Sequence, residues 1–377
     1  MNEFPTFEYT MSEVRRAGKA LKGDIIWSED AAPEIKRVFR IANDWRDSHA
    51  HPMDRVRSQV IGQLARQRLR GQLTAARLKR MPSIRKKLRT RCLDVIQDLA
   101  GVRVILPTMK NVEAVVDACR TDLRHTVYGE DNYIVDPRPS GYRSHHLKLA
   151  YAPADQSEAS FEGRRVELQI RSRLQHSWAT AVEAVGLFRG ENLKGGAGHD
   201  EWHRLFILMA SEMAHIEGQP EVAGTPSRVD RVRELKDLNT RLDAAAFLDS
   251  INQAVDFTNR FYNPVRSEFY LIRYDLQNRS VEVRGFSAAS GSQTLQATEQ
   301  QGDRFDAVLV ASDKIENLKR AFPNYFGDVQ HFARSLRRII KGKDLPEYVL
   351  APQATVTPRP RDLVDPRWLR RSTRPRV

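Results

Sequence analysis

The sequence predicts an α+β protein: a mixed sheet flanked by helices, with a small C-terminal α/β domain. Three features lead to this fold class. Helix-spaced segments dominate up to about residue 99, and short β-rich runs then alternate with helical ones. The composition changes again after Asn263-Pro264. With 377 residues, 41% of them hydrophobic, the chain is long enough for about two or three domains with real cores.

The predicted catalytic core runs through helices and strands in a regular order. Residues 1 to about 60 are helix-spaced and broken at Gly23 and Pro33, and helices continue from 59 to 99 with an interruption at Met81-Pro82. The segments that follow are the strand GVRVILP, the helix MKNVEAVVDACRTDL, the strands HHLKLAY and RRVELQIRS, and the helix RLQHSWATAVEAVG, which we expect Gly186 to end.

A linker, GQPEVAGTPS, precedes a long helix predicted to about Tyr262. The C-terminal part then predicts a hairpin from EFYLIRYD and SVEVRGF, turning at Gln277 and Asn278, a further strand in DAVLVAS, and helices around the loop FPNYF. The predicted boundaries are 1–54 for an N-terminal helical region, 55–262 for the core, 266–342 for the C-terminal domain and 343–377 for a basic, Pro- and Arg-rich tail.

The charge of the chain predicts an anionic partner. Its formal net charge is +13, and the segment from Arg55 to Arg91 carries thirteen basic residues and no acidic one. We expect this basic segment to face phosphates of a nucleotide, a nucleic acid or both. Only Cys92 and Cys119 are present, no apolar run is long enough for a membrane span, and the N-terminus lacks a signal-peptide pattern. We therefore expect a reduced, cytoplasmic protein with no membrane partner.

Strand VELQIRS predicts one half of a catalytic site. Alternation puts Glu167, Gln169 and Arg171 on one face, and polar groups on a central strand cost desolvation unless they meet a ligand or a metal. An open, solvated sheet face is the alternative. Asp98 precedes the strand GVRVIL, whose polar side carries Arg103, and two converging carboxylates would suit Mg²⁺ bound to phosphates.

The other half comes from two basic or turn-rich stretches. RLKRMPSIRKKL has a Pro-marked helix start and predicts a phosphate cradle, although the chain has no P-loop motif. Its members are Arg77, Lys79, Ser83, Lys86 and Lys87, of which Ser83 would cap the helix or bind a phosphate. In RPSGYRSHHL, Tyr142 follows a turn at Gly141 and neighbours Arg143, which suits a flat base and a phosphate. The alternative is a tyrosine that packs its own loop.

RLKRMPSIRKKL, DLAGVRV, PRPSGYRSHHL and VELQIRSRLQHSWA together resemble the RelA/SpoT synthetase family, in order and spacing, over roughly residues 55–260. The resemblance implies a nucleotidyltransferase-like fold that transfers the β,γ-pyrophosphate of ATP to a ribose 3′-hydroxyl and uses Mg²⁺. By that resemblance, Asp98 and Glu167 bind the metal, Glu167 takes the hydroxyl proton, and Tyr142 stacks on the acceptor base. By the same resemblance, Arg77, Lys79, Ser83 and Lys87 hold ATP. The complete predicted site comprises, for catalysis, Glu167, Asp98, Arg103 and Gln169; for ATP binding, Arg77, Lys79, Ser83, Lys86 and Lys87; and for acceptor binding, Tyr142, Arg143, His146, Arg171 and His176.

The C-terminal segment FDAVLVASDKIENLKRAFPNYFGDVQHF resembles the corresponding part of CapRel-type fused toxin–antitoxins. That resemblance implies an enzyme that modifies the 3′ CCA end of tRNA, is inhibited by its own C-terminal domain, and is released by a phage capsid protein. The inhibitory Tyr-x-x-Tyr motif would here be Phe322 to Tyr325, with Phe in the first position. Residues 1–60 hold no counterpart of the family's hydrolase domain. GDP or GTP as acceptor, giving an alarmone, and an inactive RNA-binding module are the alternatives.

Overall fold

The computed structural model describes residues 7–23, 31–69, 73–189, 191, 193, 198–259, 269–275, 280–286, 298, 305–311, 329–343 and 345. Its helices are α1 (Met11–Lys22), α2 (Ala32–Asp47), α3 (Ala50–Arg66), α4 (Met81–Leu88), α5 (Met109–Asp122), α6 (Arg173–Arg189), α7 (Asp200–Ile216), α8 (Arg228–Leu242), α9 (Ala244–Asn259) and α10 (Gln330–Ile340). Its strands are β1 (Leu73–Leu78), β2 (Ala100–Leu106), β3 (Thr126–Asn132), β4 (His145–Ala150), β5 (Arg165–Ser172), β6 (Phe269–Asp275), β7 (Ser280–Phe286) and β8 (Phe305–Ala311).

The strands form one mixed sheet in the order β3-β4-β5-β2-β1-β8-β6-β7. Strands β2 and β5 are parallel and the remaining pairs are antiparallel. Helices flank this sheet, so the predicted α+β class is confirmed. No helix among the described residues has the length and apolar character needed to cross a membrane.

One face of the sheet is apolar and packs against α3 and α5. Val166, Leu168 and Ile170 of β5 are fully buried there, as the alternation predicted. Burying a branched aliphatic side chain stabilises a fold by about 1.5–3 kcal/mol, so this face is a main source of stability. Because side chains alternate along a strand, the residues between these apolar positions must point to the opposite face of the sheet.

Among the described residues, the opposite face is covered at one end. A second core, built mainly from α6 to α10, packs over Leu73, Ala75 and Ile105 at that end. Beyond Ala75 and Ile105, at Arg77 and Gly101, the face opens into a cleft. The partial cover leaves polar side chains in the middle of the sheet accessible to a ligand.

Several boundaries differ from the prediction. Residues 73–78 form strand β1 instead of helix, because pairing with β2 and burial override the helix propensity of Leu, Ala and Arg. Strand β3 has no apolar alternation and was missed. Helix α6 continues through Gly186, whose backbone approaches Glu191 so closely that a Cβ would lie 2.8 Å from the Glu191 carbonyl oxygen. The predicted long helix is two helices, separated at Asp243 with φ +44°.

Described segments on both sides of the central core pack against it. Helix α3 runs across the boundary predicted at residue 54, and α1 and α2 pack with α4. Strand β8 extends the sheet by pairing with β1 at Ala76 and Arg77. Phe332 and Leu336 of α10 are fully buried and lie in the core formed by α6 to α9. The ring centroids of Phe332 and Phe206 are 5.5 Å apart.

Candidate active site

The register of four strands brings a row of polar residues together on the open face. Gly101 of β2 lies opposite Arg77 of β1 and Glu167 of β5, and Glu167 lies opposite Lys148 of β4. Side chains at paired positions point to the same side of a sheet. One step along, Arg103, Gln169 and His146 form a second row of paired positions.

A cleft of about 420 Å³, open to solvent, lies over these rows. Its lining is Ala75, Ala76, Arg77, Lys79, Asp98, Gly101, Val102, Arg103, Glu167 and Gln169. The convergence of Asp98 and Glu167, expected if their strands were adjacent, is therefore present. It follows from the parallel pairing of β2 with β5.

Asp98 sits in the turn before β2 and is held by two lysines. Nζ of Lys79 and Nζ of Lys87 each donate to its Oδ2 atom at 2.8 Å. Lys79 is fixed by its own backbone N–H, which donates to the Leu99 carbonyl at 2.8 Å, and Lys87 comes from α4. Burial acts to raise the pKa of Asp98, but the two ammonium groups outweigh it and lower that pKa to about 2.

Lys79 is the more deeply placed of the two lysines. Its side chain is 14% exposed, against 42% for Lys87. Burial lowers the pKa of Lys79 to about 8, aided by the positive charges of Lys87 and Arg77 and opposed by Asp98. An ammonium group with this pKa is partly deprotonated at mildly alkaline pH.

Glu167 is a half-buried carboxylate that accepts hydrogen bonds from two side chains. Its Oε1 atom lies 3.2 Å from Nδ1 of His146, and Nε2 of Gln169 donates to its Oε2 at 2.6 Å. Burial acts to raise the pKa of Glu167, but the His146 and Gln169 contacts prevail and hold it below its usual value. Glu167 is consequently ionised at neutral pH.

Tyr142 and His146 connect the turn-rich loop to Glu167. The Tyr142 hydroxyl lies 3.0 Å from Nε2 of His146. Because a carboxylate only accepts hydrogen bonds, Nδ1 of His146 carries the proton that it donates to Glu167. In the neutral imidazole, Nε2 then accepts from the Tyr142 hydroxyl. Trp178 packs beside the Tyr142 ring at 6.5 Å between centroids.

The turn before Tyr142 needs its glycine. Gly141 has φ +91°, and a Cβ there would lie 2.7 Å from Cβ of Ala210. A side chain at this position would be strained by its backbone and would clash with α7. The loop therefore holds Tyr142 half-buried beside the cleft, with its ring partly packed on the core of α6 to α10.

Arg171 and His176 lie at the closed end of the polar face. Their side chains are buried and in contact, with Nη2 of Arg171 2.5 Å from Nδ1 of His176. Arg103 is half-buried, and burial together with the nearby Arg171 lowers its pKa to about 9. Arg103 and Arg171 bring positive charge to this end of the polar face, and the nearby Glu183 partly offsets it.

Three predicted site residues do not join this arrangement. Arg143 is buried away from the cleft and donates to the carbonyls of Ile134 at 2.8 Å and Pro220 at 2.6 Å, which ties the loop to the chain after α7. Ser83 is the third residue of α4, whose N-cap is Arg80, so the capping role predicted for Ser83 is wrong. Lys86 is exposed on α4. Phe322 and Tyr325 lie outside the described residues.

The cation predicted at Asp98 and Glu167 has suitable ligands. Oδ1 of Asp98 is buried and has no hydrogen-bond partner among the residues that the structure describes. Burying an oxygen acceptor without a partner is costly, and Mg²⁺ prefers carboxylate oxygens. The residues therefore fit a hard divalent cation.

Residues 76–190, which contain every charged residue of the cleft, match the family profile described as "Region found in RelA / SpoT proteins". We call these residues the RelA/SpoT region, after the profile that they match. This region contains the two carboxylates, the lysines and the tyrosine loop. The match supports the predicted resemblance over this part of the chain.

Curated relatives match over part of their length. A GTP pyrophosphokinase of Escherichia coli strain K12 is 26% identical over 189 residues, 48% of this chain and 24% of the relative. GTP pyrophosphokinase YjbM of Bacillus subtilis strain 168 is 28% identical over 148 residues, 38% of this chain and 66% of the relative. The chain thus spans about a quarter of the length of the first of them.

The solved structures to which the chain shows some similarity include small alarmone synthetase 1 from Bacillus subtilis bound to its product pppGpp. It shares 18% identity at a TM-score of 0.39, covering 45% of this chain and 90% of that chain. A GTP pyrophosphokinase family protein from Streptococcus pneumoniae shares 22% identity at a TM-score of 0.39, covering 46% and 87%.

Sequence reasoning missed three residues of the RelA/SpoT region that border the site. Lys148 and Asp131 form an ion pair at 2.8 Å beside the His146 row, and Tyr133 meets the His146 ring edge-on at 5.2 Å. Alternation within HHLKLAY puts Lys148 on the face of His146, so that signal was available. Tyr133 and Asp131 precede a loop, and only the pairing of β3 with β4 brings them near.

Proposed function

We propose that this protein is an ATP-dependent pyrophosphokinase that transfers the β,γ-pyrophosphoryl group of ATP to a ribose 3′-hydroxyl and releases AMP. One observation carries the proposal: Asp98 and Glu167 line the same cleft. Lysines contact Asp98, and Tyr142 is linked to Glu167 through His146. The names of the curated relatives, GTP pyrophosphokinases, support it.

In the proposed reaction, the acceptor hydroxyl gives its proton to Glu167 while its oxygen attacks the β-phosphorus of ATP. The bond between that phosphorus and the oxygen bridging to the α-phosphate breaks, and AMP leaves with the electron pair. The depressed pKa of Glu167 keeps it ionised and able to accept the proton. His146 and Gln169 fix the orientation of its two oxygens.

The remaining cleft residues would bind and balance charge. Lys79, Lys87 and Arg77 suit the phosphates of ATP, and the half-buried Arg103 suits charge that develops at the transferred group. Asp98, with Glu167, would hold Mg²⁺, which neutralises phosphate charge and orients the transferred group when bound. Tyr142 offers a ring on which an acceptor base could stack.

For the acceptor we propose the 3′ CCA end of tRNA, whose modification would block translation. Exposed basic residues on and after α4, next to the lysines of the cleft, support a polyanionic partner; they are Lys86, Arg89 and Arg91. Other members of the basic segment are engaged internally, such as Arg55 with Glu158 and Arg57 with Asp54. The segment as a whole therefore argues less strongly for RNA than its composition suggested.

GDP or GTP is the second candidate acceptor, and the names of the relatives favour it. Incubating γ-labelled ATP with the full chain and either deacylated tRNA or GDP separates the two. Label on the tRNA 3′ end supports the first acceptor, and label on GDP supports the second. Salt provides a further distinction, because tRNA binding should weaken steeply as counterions compete. RNA binding without labelling of any acceptor would indicate an inactive RNA-binding module.

Glu167→Gln serves as the control in that assay. It keeps the shape of the side chain and removes the carboxylate, so labelling of either acceptor should fall at least about 100-fold. Labelling by this variant at the wild-type rate would contradict the assignment of Glu167.

We further propose that the segment after residue 260 restrains the enzyme until a phage capsid protein binds. The support is the pairing of β8 with β1 at Arg77, one of the proposed ATP ligands, together with the aromatic motif from Phe322 to Tyr325. A test by truncation after residue 265 would also remove α10, whose Phe332 and Leu336 belong to the core. Tyr325→Ala in the full chain is therefore the sharper variant.

Expression of Tyr325→Ala should arrest growth, whereas the wild-type protein should be tolerated. Adding Glu167→Gln should remove the toxicity, which ties it to catalysis. If the variant is folded, catalytically active in vitro and still harmless, the proposed restraint by the aromatic motif is wrong.

A further inference from the structure

A single carboxylate oxygen in the cleft accepts from two ammonium groups. Oδ2 of Asp98 lies 2.8 Å from Nζ of Lys79 and 2.8 Å from Nζ of Lys87. The other oxygen, Oδ1, is buried and meets no donor in the part of the chain that the structure describes. Asp98 is also the carboxylate that fits a divalent cation, so the lysines engage a metal ligand.

The charge around Asp98 opposes a cation that arrives alone. One carboxylate faces two ammonium groups, and the local sum is positive before any metal binds. Repulsion between like charges is strong where side chains are partly withdrawn from water, as Lys79 is at 14% exposure. Glu167 adds a negative charge, but both of its oxygens already accept hydrogen bonds from His146 and Gln169.

A triphosphate would reverse this balance. Its oxygens accept charge-assisted hydrogen bonds from ammonium groups, so both lysines could turn from Asp98 to the phosphates. Oδ2 would then be free for the cation, and the phosphates would contribute further oxygen ligands. Lys87, on the surface side of the pair at 42% exposure, has the freer path.

We propose that Lys79 and Lys87 make cation binding at Asp98 conditional on a bound triphosphate. The two ammonium groups shield the metal ligand in the free enzyme, and the triphosphate draws them away. Because binding free energies are linked, the cation must in turn strengthen triphosphate binding. The inference rests on the proposed function in one respect, the identity of the triphosphate as ATP. The shielding of Asp98 by the two lysines does not depend on it.

The shielding can be measured without nucleotide. We would titrate the full-length chain with Mn²⁺ alone and follow the free ion by electron paramagnetic resonance. Wild type should bind Mn²⁺ weakly, and Lys87→Met should bind about 5- to 150-fold more tightly, the usual range for coupled sites. Lys79→Met should behave alike. Lys19→Met, an exposed change of the same charge on α1, should leave the affinity unchanged.

Asp98→Asn combined with Lys87→Met should erase the gain, which locates the bound ion. Equal Mn²⁺ affinity of wild type and both lysine variants would overturn the shielding, provided the exposed Lys87 variant retains the wild-type melting temperature. A gain that survives Asp98→Asn would overturn it too, because the ion would then bind elsewhere.

A second measurement separates this inference from the proposed function. A non-hydrolysable ATP analogue should bind wild type more tightly with Mg²⁺ than with EDTA, and Lys87→Met should reduce this difference. An analogue that fails to bind under both conditions would contradict the proposed ATP site while the Mn²⁺ titration still reports on shielding. An analogue that binds equally well under both conditions would contradict the coupling alone.

Discussion

The two faces of the central sheet are made by the same strands and serve opposite purposes. In β5, Leu168 is fully buried against the layer of α3 and α5, and its neighbour Glu167 faces the cleft. One side gains stability from apolar burial, and the other carries buried charges that cost desolvation. The comparison teaches that burial on the apolar face offsets the desolvation cost of the polar face, because one backbone fixes both faces.

The largest expected effect falls on the polar face. Glu167→Gln should lower kcat for pyrophosphate transfer by about 10²- to 10⁴-fold, the range for a positioned general base. Its free energy of unfolding should fall by about 1–3 kcal/mol, because the amide keeps the size of the side chain but turns one of the two accepting oxygens into a donor that faces His146 or Gln169. Steady-state kinetics and a denaturant melt on the same preparation check both halves. A loss of activity that merely follows a loss of folded protein would contradict the separation of the faces.

The matched change on the apolar face is Leu168→Ala. Removing a buried leucine leaves a cavity and should lower the free energy of unfolding by about 2–5 kcal/mol. Activity per folded molecule, measured well below the melting temperature, should stay within severalfold of wild type. If kcat falls as far as in Glu167→Gln while the protein remains folded, the two faces are coupled more tightly than proposed.

Tyr142 tests the acceptor side of the cleft. Tyr142→Ala should weaken acceptor binding by about 1–3 kcal/mol, the usual worth of one stacked base, with ATP affinity unchanged. Tyr142→Phe keeps the ring and removes only the hydroxyl that meets His146. It should therefore retain the acceptor KM. Isothermal titration with the ATP analogue and acceptor KM values decide between stacking and a purely structural role.

His146 offers a pair of variants that separates its two contacts. An Asn amide lies near Nδ1 and can still donate to Glu167, whereas a Gln amide lies near Nε2 and can reach only Tyr142. A hydrogen bond to a charged group is worth about 1.5–3 kcal/mol, so His146→Gln should lower kcat more than tenfold. His146→Asn should lower it less, with the acceptor KM similar in both. Equal losses in kcat would show that His146 does not orient Glu167.

The smallest effect concerns pH. The pKa of Lys79 is lowered to about 8, so Lys79 loses its positive charge as the pH rises through that value. The value of kcat/KM for ATP, which reports on the free enzyme, should fall above about pH 8, by about tenfold per unit. In Lys79→Arg the decline should move to higher pH, since a guanidinium stays charged. An unchanged alkaline limb in that variant would assign it to another group.

The acid limb follows from Glu167. Its pKa is held below the ordinary value for a glutamate, so the carboxylate stays ionised until the pH falls below that ordinary value. Activity should therefore persist at mildly acidic pH, as long as the protein stays folded. If activity instead declines near neutral pH, and this decline disappears in a Glu167 variant, the pKa of Glu167 is raised and not lowered.

The sequence by itself determined the local pattern. Alternation in VELQIRS placed Glu167 and Gln169 opposite the buried Val166, Leu168 and Ile170, because neighbouring side chains of a strand must point to opposite faces. Gly141, in front of Tyr142, predicted a turn for an equally local reason, because glycine adopts a positive φ more readily than other residues. The order of the motifs predicted the resemblance to the family whose profile matches residues 76–190.

Only the tertiary structure decided which groups meet. β1 is a strand because β2 and β8 pair with it, although its residues favour a helix. Arg143, predicted to face a ligand, instead binds the carbonyls of Ile134 and Pro220, and Lys79 and Lys87 converge on Asp98 from separate elements. These contacts depend on strand pairing and on charge balance across residues distant in sequence, and neither is encoded in a local period.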